Sequence, residues 1–242
     1  MRINRFVGKF DLSKKELSLN DGDFINQAKN VLRLGVGDKI ILCDGESNEA
    51  IAEIINLNKE FAELKLLETY KNKNEPASPE GGSGKYVALY CPILKKENFE
   101  LAVQKAVEIG VKEITPIITK RTVKLGLNYE RLNKIIKEAV EQSGRGILPK
   151  LNEAVNFEQA VEKAKKENDL NLFFHINNNR GDASVGHRVS NTIGVFVGPE
   201  GGWDEDEIKM AQENNFVFAS LGKTTLRAET AVIVASYIAC NL

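Results

Sequence analysis

Two glycine-bearing loops contain the residues whose types and spacing are most suited to chemistry. The first glycine loop, residues 198–202, reads Gly-Pro-Glu-Gly-Gly and has more glycines than a tight turn needs. The second glycine loop, residues 221–227, ends on Arg227, and Glu229 and Thr230 follow closely. Glycine lets backbone groups approach a ligand. An arginine can stabilise negative charge, and a carboxylate can accept a proton. The simpler interpretation, ordinary strand–helix turns, is weakened by the extra glycines and the grouped polar side chains.

Each loop is predicted to lie between a strand and a helix. Residues 193–197 form a short β-branched, apolar run of the buried-strand type, and residues 216–221 repeat it before the second glycine loop. Asp204 and Glu207 are spaced as a capping box that opens the next helix. In an open α/β sheet, ligands bind at the carboxyl ends of strands, so two such loops close together would form one pocket.

Composition and charge limit the classes of protein. The 242 residues are enough for one or two domains, and 42% hydrophobic with 28% charged residues is typical of soluble globular chains. Neither an apolar run of ~18 residues nor a signal peptide is seen, which predicts a cytoplasmic protein without a membrane span. The net charge of -1 predicts that any surface for nucleic acid is a local patch. The widely spaced Cys43, Cys91 and Cys240 argue against a disulfide framework or zinc site and are expected in the core.

The pattern of elements changes once along the chain. Residues 1–72 are β-rich, 73–85 form a polar linker rich in Pro, Gly and Ser, and 86–242 alternate strand and helix. Alternation predicts a mostly parallel sheet covered on both faces, so the fold class is α/β. The predicted strands are 39–43, 49–56, 61–67, 86–91, 113–118, 170–175, 193–197 and 216–221. The predicted helices are 23–34, 97–109, 129–143, 157–167, 204–213 and 228–240.

The motifs of the two loops resemble those of a known family. Gly198-Pro199-Glu200-Gly201-Gly202, Leu221-Gly222 and Leu226-Arg227-Ala228-Glu229-Thr230-Ala231 are similar to stretches of the bacterial ribosomal RNA uridine N3-methyltransferases of the RsmE type, in the SPOUT superfamily. Further similar stretches are residues 31–38, 101–111, 120–123 and 138–145, so the resemblance runs along nearly the whole chain. One departure is the stretch 26–30, Asn-Gln-Ala-Lys-Asn, where the family often has histidines.

The resemblance implies a fold that periodicity does not reveal. It implies a SPOUT-type C-terminal domain with a deep trefoil knot and a small N-terminal PUA-like β-barrel that docks RNA. The knot is a rare exception to the rule against threaded chains, and it is expected to bring residues 170–176, 198–202 and 221–226 together. In the family this pocket holds S-adenosylmethionine and lies against a second subunit. The implied cofactor is therefore S-adenosylmethionine, and the implied assembly is a homodimer.

The resemblance also implies roles for individual residues. Stabilising a uridine anion calls for a permanent cation, for which Arg227 is the first candidate, followed by Arg121 or Arg5. Glu229 is a candidate base, but it equally fits orientation of Arg227 or capping of the last helix. His175 either lines the pocket or is a satisfied structural histidine. The implied cofactor-binding residues are His175, Val197, Gly198, Gly202, Leu221, Gly222 and Leu226.

Several basic residues are expected to contact RNA phosphates. For each of them, a solvated surface charge is the alternative. Arg145 follows a glycine that ends a helix, so it could instead neutralise the helix C-terminus. The candidates are Arg2, Arg5, Lys9, Lys29, Arg33, Lys95 and Arg145.

The predicted function is S-adenosylmethionine-dependent methylation of uridine N3 in 16S ribosomal RNA, with ribosomal RNA or the small ribosomal subunit as partner and no metal. Ribose 2′-O-methylation within the same superfamily is one alternative, but it needs flanking motifs that the chain lacks. A catalytically silent RNA-binding protein that keeps the fold as a scaffold is the other. The intact motifs of both glycine loops argue against that alternative.

Overall fold

The computed structural model describes residues 3–72, 85–123, 126–176 and 190–242. The chain divides into two compact units. The first unit is Met1–Glu75 with Val140–Leu148, and the second is Pro76–Ala139 with Pro149–Leu242. The predicted domains, 1–72 and 86–242, differ from this division chiefly because residues 140–148 group with the N-terminal unit. Most of the predicted linker, residues 73–84, lies outside the described residues.

A five-stranded sheet forms the body of the first unit. Its strands are β1 (Asn4–Val7), β2 (Glu16–Leu19), β3 (Lys39–Cys43), β4 (Asn48–Leu57) and β5 (Ala62–Lys71). They lie in the order β1-β3-β4-β5-β2, with β1 parallel to β3 and the other neighbours antiparallel. The two short outer strands, β1 and β2, were not among the predicted strands. Four residues are too few for a clear alternation of apolar and polar side chains.

The predicted helix over residues 23–34 is shorter in the structure. The side chain of Asp21 accepts hydrogen bonds from the backbone N–H groups of Asp23 and Phe24 and starts α1 (Gly22–Asn26). A π-helical segment, Gln27–Val31, follows directly. Regular structure stops there because Arg33 adopts a φ of 56°, a left-handed conformation that interrupts a right-handed helix.

Residues 140–148 are held in the first unit by polar contacts between residues far apart in sequence. The buried carboxylate of Glu141 accepts the backbone N–H of Val7 at 2.9 Å and the side-chain amide of Gln27 at 2.9 Å. The side-chain amide of Asn72 donates to the carbonyl oxygen of Gly144 at 3.1 Å. A buried carboxylate is costly unless it is hydrogen-bonded, so Glu141 stabilises only the arrangement that brings these residues together.

A parallel sheet forms the second unit, as predicted. Its strands are β6 (Tyr86–Pro92), β7 (Glu113–Ile118), β8 (Lys150–Leu151), β9 (Val155–Asn156), β10 (Leu170–Phe174), β11 (Thr192–Val197) and β12 (Val217–Ala219). Its helices are α2 (Lys96–Ile109), α3 (Tyr129–Ser143), α4 (Phe157–Glu167), α5 (Glu205–Glu213) and α6 (Ala228–Cys240). The strand order is β12-β10-β11-β6-β7-β8, with β9 also on β7, and every described pairing is parallel. The predicted α/β class is confirmed.

Aromatic side chains fill one side of this sheet. Tyr90 and Phe196 stack with ring centroids 4.3 Å apart, and Phe173 stacks on Trp203 at 4.4 Å. All four are buried, and burial of a phenylalanine side chain such as Phe173 or Phe196 contributes roughly 1.5–3 kcal/mol. The strands that carry Tyr90, Phe173 and Phe196 are therefore held firmly up to their carboxyl ends.

The strand order brings the two glycine loops to one edge of the sheet. β10 lies between β11, which leads into the first glycine loop, and β12, which leads into the second. The ends of β6 and β7 lie next along the same edge, because all these strands are parallel. The predicted knot concerns the path from residue 170 onward; residues 177–189 of that path lie outside the described residues, so the knot stays a prediction. Within the described ranges, none of the helices combines the length and apolar character needed to cross a membrane.

Candidate active site

A cavity of about 770 Å³ opens at this carboxyl edge of the parallel sheet. Both glycine loops contribute to its walls, together with residues that follow β6, β7 and β10. All seven residues implied for cofactor binding line it: His175, Val197, Gly198, Gly202, Leu221, Gly222 and Leu226. The three implied catalytic residues, Arg121, Arg227 and Glu229, line the same cavity.

Glycine is required at specific points of the two loops. Gly202 has a φ of 71° and Gly222 a φ of 121°, both in the region that side chains disfavour. At Gly198, an added Cβ would lie 3.1 Å from the indole nitrogen of Trp203, closer than an ordinary contact. The loops therefore bring backbone groups to the cavity wall where a side chain would strain the chain or crowd a neighbour.

Trp203, directly after the first glycine loop, bonds this loop to β10. Its indole N–H donates to the carbonyl oxygen of Phe174 at 2.9 Å, and its ring stacks on Phe173. Trp203 is buried, so its ring is part of the core of the second unit. The bond ties the loop after β11 to the end of the neighbouring strand β10.

Arg121 is fixed beside the first glycine loop by two acceptors. Its Nη1 donates to the carbonyl oxygen of Gly201 at 2.9 Å, and its Nη2 lies 3.6 Å from a carboxylate oxygen of Asp204. Lys120 also pairs with Asp204, at 3.0 Å, and with Asp206. Hydrogen bonding by Lys120 is the main cause that holds the pKa of the Asp204 carboxyl below its usual range. Arg121 keeps about half of its side chain exposed, 46%, toward solvent and cavity.

Arg227 and Glu229 enter the cavity from the start of α6. Arg227 is the N-cap residue of this helix and is exposed, whereas Glu229 is only 8% exposed. Within the described parts of the chain, neither the Arg227 guanidinium nor the Glu229 carboxylate has a hydrogen-bond or ion-pair partner. Glu229 is largely covered by neighbouring residues but lines the cavity, so its carboxylate is open to a bound ligand. Within the described residues, the Glu229 side chain bonds neither Arg227 nor the backbone at the start of α6, so its role stays a prediction.

His175 lies between the two loops. Its backbone N–H donates to the carbonyl oxygen of Ala219, at the end of β12, with 3.0 Å between N and O, and its ring lines the cavity. Burial lowers the pKa of the imidazole below its ordinary value, which favours the neutral form near neutral pH. A neutral ring at this place does not repel a cationic ligand.

The structure separates the implied RNA-binding residues into two groups. Arg33 and Lys95 are exposed, and Lys95 also lines the cavity at the start of α2. Arg5 instead forms an ion pair with the buried carboxylate of Glu49, and Arg145 is only 7% exposed. These two are built into the first unit and present little free charge to a phosphate. Arg2 lies outside the described residues.

Several residues of the cavity wall were not named individually from the sequence, although ranges 170–176 and 221–226 were expected there. Asn98 and Ile93 follow β6, Phe174 ends β10, and Thr224 and Thr225 lie within the second glycine loop. The loop threonines stand beside a motif already singled out, so their position was an available signal. Ile93 and Asn98 had no such signal, because only the strand order places the end of β6 beside that of β11.

In the residues that the structure describes, no group of three or more His, Cys, Asp and Glu side chains could hold a metal ion. The three cysteines form no disulfide with one another within the described residues. Cys43 and Cys91 are buried, as expected, whereas Cys240 is only partly buried near the end of α6. Burial raises the pKa of the Cys43 thiol to about 11.

The fold and the cavity together define a class of protein. Residues 83–239, well over half of the chain, match the family model described as an RNA methyltransferase domain. Residues 26–67 match the model described as an RNA methyltransferase PUA domain, in agreement with the implied PUA-like unit. The class is therefore that of the RNA methyltransferases with a C-terminal SPOUT-type domain.

Individual relatives narrow the class. A ribosomal RNA small subunit methyltransferase E from Rickettsia conorii is 31% identical over 240 residues, 97% of this chain and 94% of its own. The crystal structure of such an enzyme from Neisseria gonorrhoeae, bound to S-adenosyl methionine, has a TM-score of 0.84 at 30% identity and covers 98% of this chain and 96% of that one. A protein described as a methyltransferase from Legionella pneumophila, with bound cofactor SAM, has a TM-score of 0.86 at 27% identity, covering 98% and 97%. The chain belongs to the ribosomal RNA small subunit methyltransferase E family.

Proposed function

We propose that this protein transfers a methyl group from S-adenosylmethionine to N3 of a uridine in 16S ribosomal RNA. The observation that carries the proposal is the meeting of Arg227 and Glu229 with both glycine loops at one cavity. Family membership supports the choice of cofactor and of ribosomal RNA as substrate. The choice of N3 rests on the resemblance to the RsmE type.

The residues around the cavity fit this cofactor. Gly202 and Gly222 adopt conformations that other residues disfavour, and the absence of a side chain at these points lets an adenine or ribose come close to the loop backbone. Phe174, Val197 and Leu226 add apolar surface for the rest of a nucleoside. When bound, S-adenosylmethionine supplies a methyl group on a positively charged sulfur.

The protein must make the uridine nitrogen reactive. Neutral N3 carries a proton and its lone pair is delocalised, so it is a poor nucleophile until the proton leaves. We assign proton removal to the carboxylate of Glu229, which lines the cavity and has no partner among the described residues. The exposed guanidinium of Arg227 stabilises the negative charge that spreads onto O2 and O4. In the alternative arrangement, Glu229 pairs with Arg227 and orients it toward the same anion.

A second set of cations holds the RNA. Arg121 has one Nη group on Gly201 and the other near Asp204, and its half-exposed guanidinium keeps further N–H donors for the substrate. Lys95, exposed at the cavity, and Arg33, exposed in the first unit, contact phosphates in this proposal. Arg5 and Arg145 are not assigned this role, because the first is paired with Glu49 and the second is buried.

The proposal also includes the assembly and the cellular setting. The active form is a homodimer with the second subunit against the cofactor cavity, and the chain of the C-terminal unit is knotted. Both follow from the family resemblance. A ribosomal RNA substrate places the reaction in the cytoplasm.

The experiment that tests the function is methyl transfer to isolated small ribosomal subunits that lack the modification. The purified protein is incubated with S-adenosylmethionine carrying a labelled methyl group, the RNA is digested, and the nucleosides are separated. We expect label on 3-methyluridine. Label on a ribose oxygen would move the chemistry to the 2′-O alternative, and binding of S-adenosylmethionine without any transfer would favour a silent RNA-binding protein.

A further inference from the structure

Glu207 joins two segments that line the cavity, although it does not line the cavity itself. It lies in the first turn of α5 and is only 4% exposed. One carboxylate oxygen accepts the backbone N–H of Asp204 at 2.8 Å, which completes the predicted capping box. The other oxygen accepts the backbone N–H of Lys120 at 2.9 Å.

The second of these bonds exceeds what capping requires. A capping box uses the side chain of the third helical residue to satisfy the N-cap backbone N–H, and one oxygen is enough for that. The oxygen that reaches Lys120 binds a residue 87 positions away, in the segment that follows β7. Glu207 therefore links the turn after the first glycine loop to the segment after β7.

This link acts on Arg121, the next residue along the chain. The guanidinium of Arg121 bonds the carbonyl oxygen of Gly201 and lies near the carboxylate of Asp204, so three bonds or ion pairs converge on one corner of the cavity. The Glu207 carboxylate accepts backbone N–H groups from Lys120 and Asp204, and these donors do not move when the Lys120 or Asp204 side chain changes rotamer. The bond to Lys120 fixes the backbone from which the Arg121 side chain extends.

We infer that Glu207 is a positioning residue, which holds the Arg121 backbone in register with the first glycine loop so that the guanidinium is placed for the RNA substrate. The inference rests on the proposed function, in which Arg121 contacts that substrate. A misplacement of about 1 Å is enough to cost an enzyme up to 100-fold in rate. Glu207 thus affects turnover without touching either reactant.

The first test compares Glu207→Gln with Glu205→Gln. Both replacements remove one negative charge from the first turn of α5, but Glu205 is exposed and makes no side-chain bond within the described chain. Glutamine has one acceptor oxygen, and its NH2 group opposes a backbone N–H, so Glu207→Gln retains only one of the two bonds. We expect kcat for methyl transfer to fall roughly 10- to 100-fold in Glu207→Gln, with a smaller loss of cofactor affinity, and to stay unchanged in Glu205→Gln.

A double-mutant cycle separates positioning from a general loss of structure. If Glu207 acts through Arg121, then Glu207→Gln made in an Arg121→Ala background changes kcat by less than about twofold. If Glu207 only supports the fold, the same loss of rate appears in both backgrounds and the inference is wrong. Equal thermal unfolding of the single variants and their parents ensures that the cycle compares folded proteins.

Amide hydrogen exchange provides a readout that needs no turnover. The Lys120 amide should exchange at least about tenfold faster in Glu207→Gln than in wild type, and at the wild-type rate in Glu205→Gln. An unchanged Lys120 amide would overturn the inference. A wild-type protein that transfers no methyl group would overturn the proposed function instead, and Lys120 exchange would still decide whether Glu207 holds this segment.

Discussion

The two glycine loops line the same cavity but are held in opposite ways. The first glycine loop is bonded at several points to other elements: Trp203, directly after it, donates to Phe174, and Gly201 accepts from Arg121. An internal bond from the Gly202 N–H to the Pro199 carbonyl closes it further. Its shape is therefore set before any ligand arrives.

The second glycine loop has much weaker support. Residues 222–225 are exposed, and the hydrogen bonds of residues 220–226 within the described chain are internal, between Ser220 and Gly222. Arg227 follows at the helix start with its guanidinium exposed. Segments with few buried contacts and exposed backbone open at low free-energy cost.

The difference indicates a division of labour in the site. In the proposed function, the fastened loop offers a preformed surface for the cofactor, whereas the loosely held loop carries Arg227, the cation proposed to meet the RNA base. Closing such a segment over bound reactants completes a catalytic site without disturbing the rest of the fold. The three predictions below test this contrast, from the largest expected effect to the smallest.

The largest expected effect is a loss of turnover when a side chain next to the loosely held loop is changed. Replacing Arg227 by Ala removes the proposed stabiliser of the uridine anion, so kcat should fall about 100- to 1,000-fold while cofactor affinity changes little. Single-turnover methyl transfer and calorimetric titration with S-adenosylmethionine measure the two quantities. The matched control is Lys223→Ala, which removes an exposed positive charge from the same loop but outside the cavity lining.

Equal losses in Arg227→Ala and Lys223→Ala would mean that the loop supplies only general attraction for RNA. Unchanged turnover in Arg227→Ala would remove Arg227 from the mechanism. Arg227→Lys sharpens the result further, because lysine retains the charge but lacks the planar fork of donors.

A smaller effect, on stability, is expected from the fastened loop. Trp203→Phe keeps an aromatic ring on Phe173 but removes the indole N–H that bonds the Phe174 carbonyl. We expect the free energy of unfolding to fall by about 1–3 kcal/mol, since a buried acceptor loses its partner. Urea denaturation followed by circular dichroism measures the change.

The comparison for Trp203→Phe is Thr225→Ala in the second glycine loop. Thr225 is exposed and has no side-chain hydrogen bond within the described residues, so its loss should change the free energy of unfolding by less than about 0.5 kcal/mol. If the two variants are destabilised equally, the contrast between a fastened and a loose loop is wrong.

The smallest effect concerns His175, which lies between the loops. Its pKa is lowered by burial, so below its ordinary pKa of about 6.5 the unfolded chain binds a proton more readily than the folded one. The stability that neutral His175 contributes is therefore complete above that pH and is lost as the pH falls through the lower pKa of the folded state. The free energy of unfolding, measured from about pH 8 to about pH 5.5, should decline more steeply in wild type than in His175→Gln.

Parallel profiles for wild type and His175→Gln would show that the proton affinity of His175 is the same in the folded and unfolded chain.

Local patterns predicted the long elements of the second unit well. The predicted helices over 129–143, 157–167 and 228–240 coincide with α3, α4 and α6. These segments have a clear helical period of apolar residues or a strong stop signal, and both are properties of neighbouring residues alone. The short β1 and β2, and the π-helical turn after α1, lacked such signals and were missed.

The candidate site also has features that local sequence predicts and features that it does not. The glycine loops, Arg227, Glu229 and the capping box of Asp204 and Glu207 were recognisable because their residue types and spacing are local. The sequence by itself thus determined which residues are candidates for the chemistry and which elements hold them.

Tertiary structure decided what each of these residues contacts. Arg5 and Arg33 look alike as basic residues of the first unit, yet Arg5 is committed to Glu49 whereas Arg33 is exposed. Glu207 reads as a helix cap, but its second oxygen binds Lys120. Residues 140–148 end a helix of the second unit and pack in the first, through Glu141. Such pairings depend on strand order and on burial over long sequence separations, and these arise only when the whole chain packs.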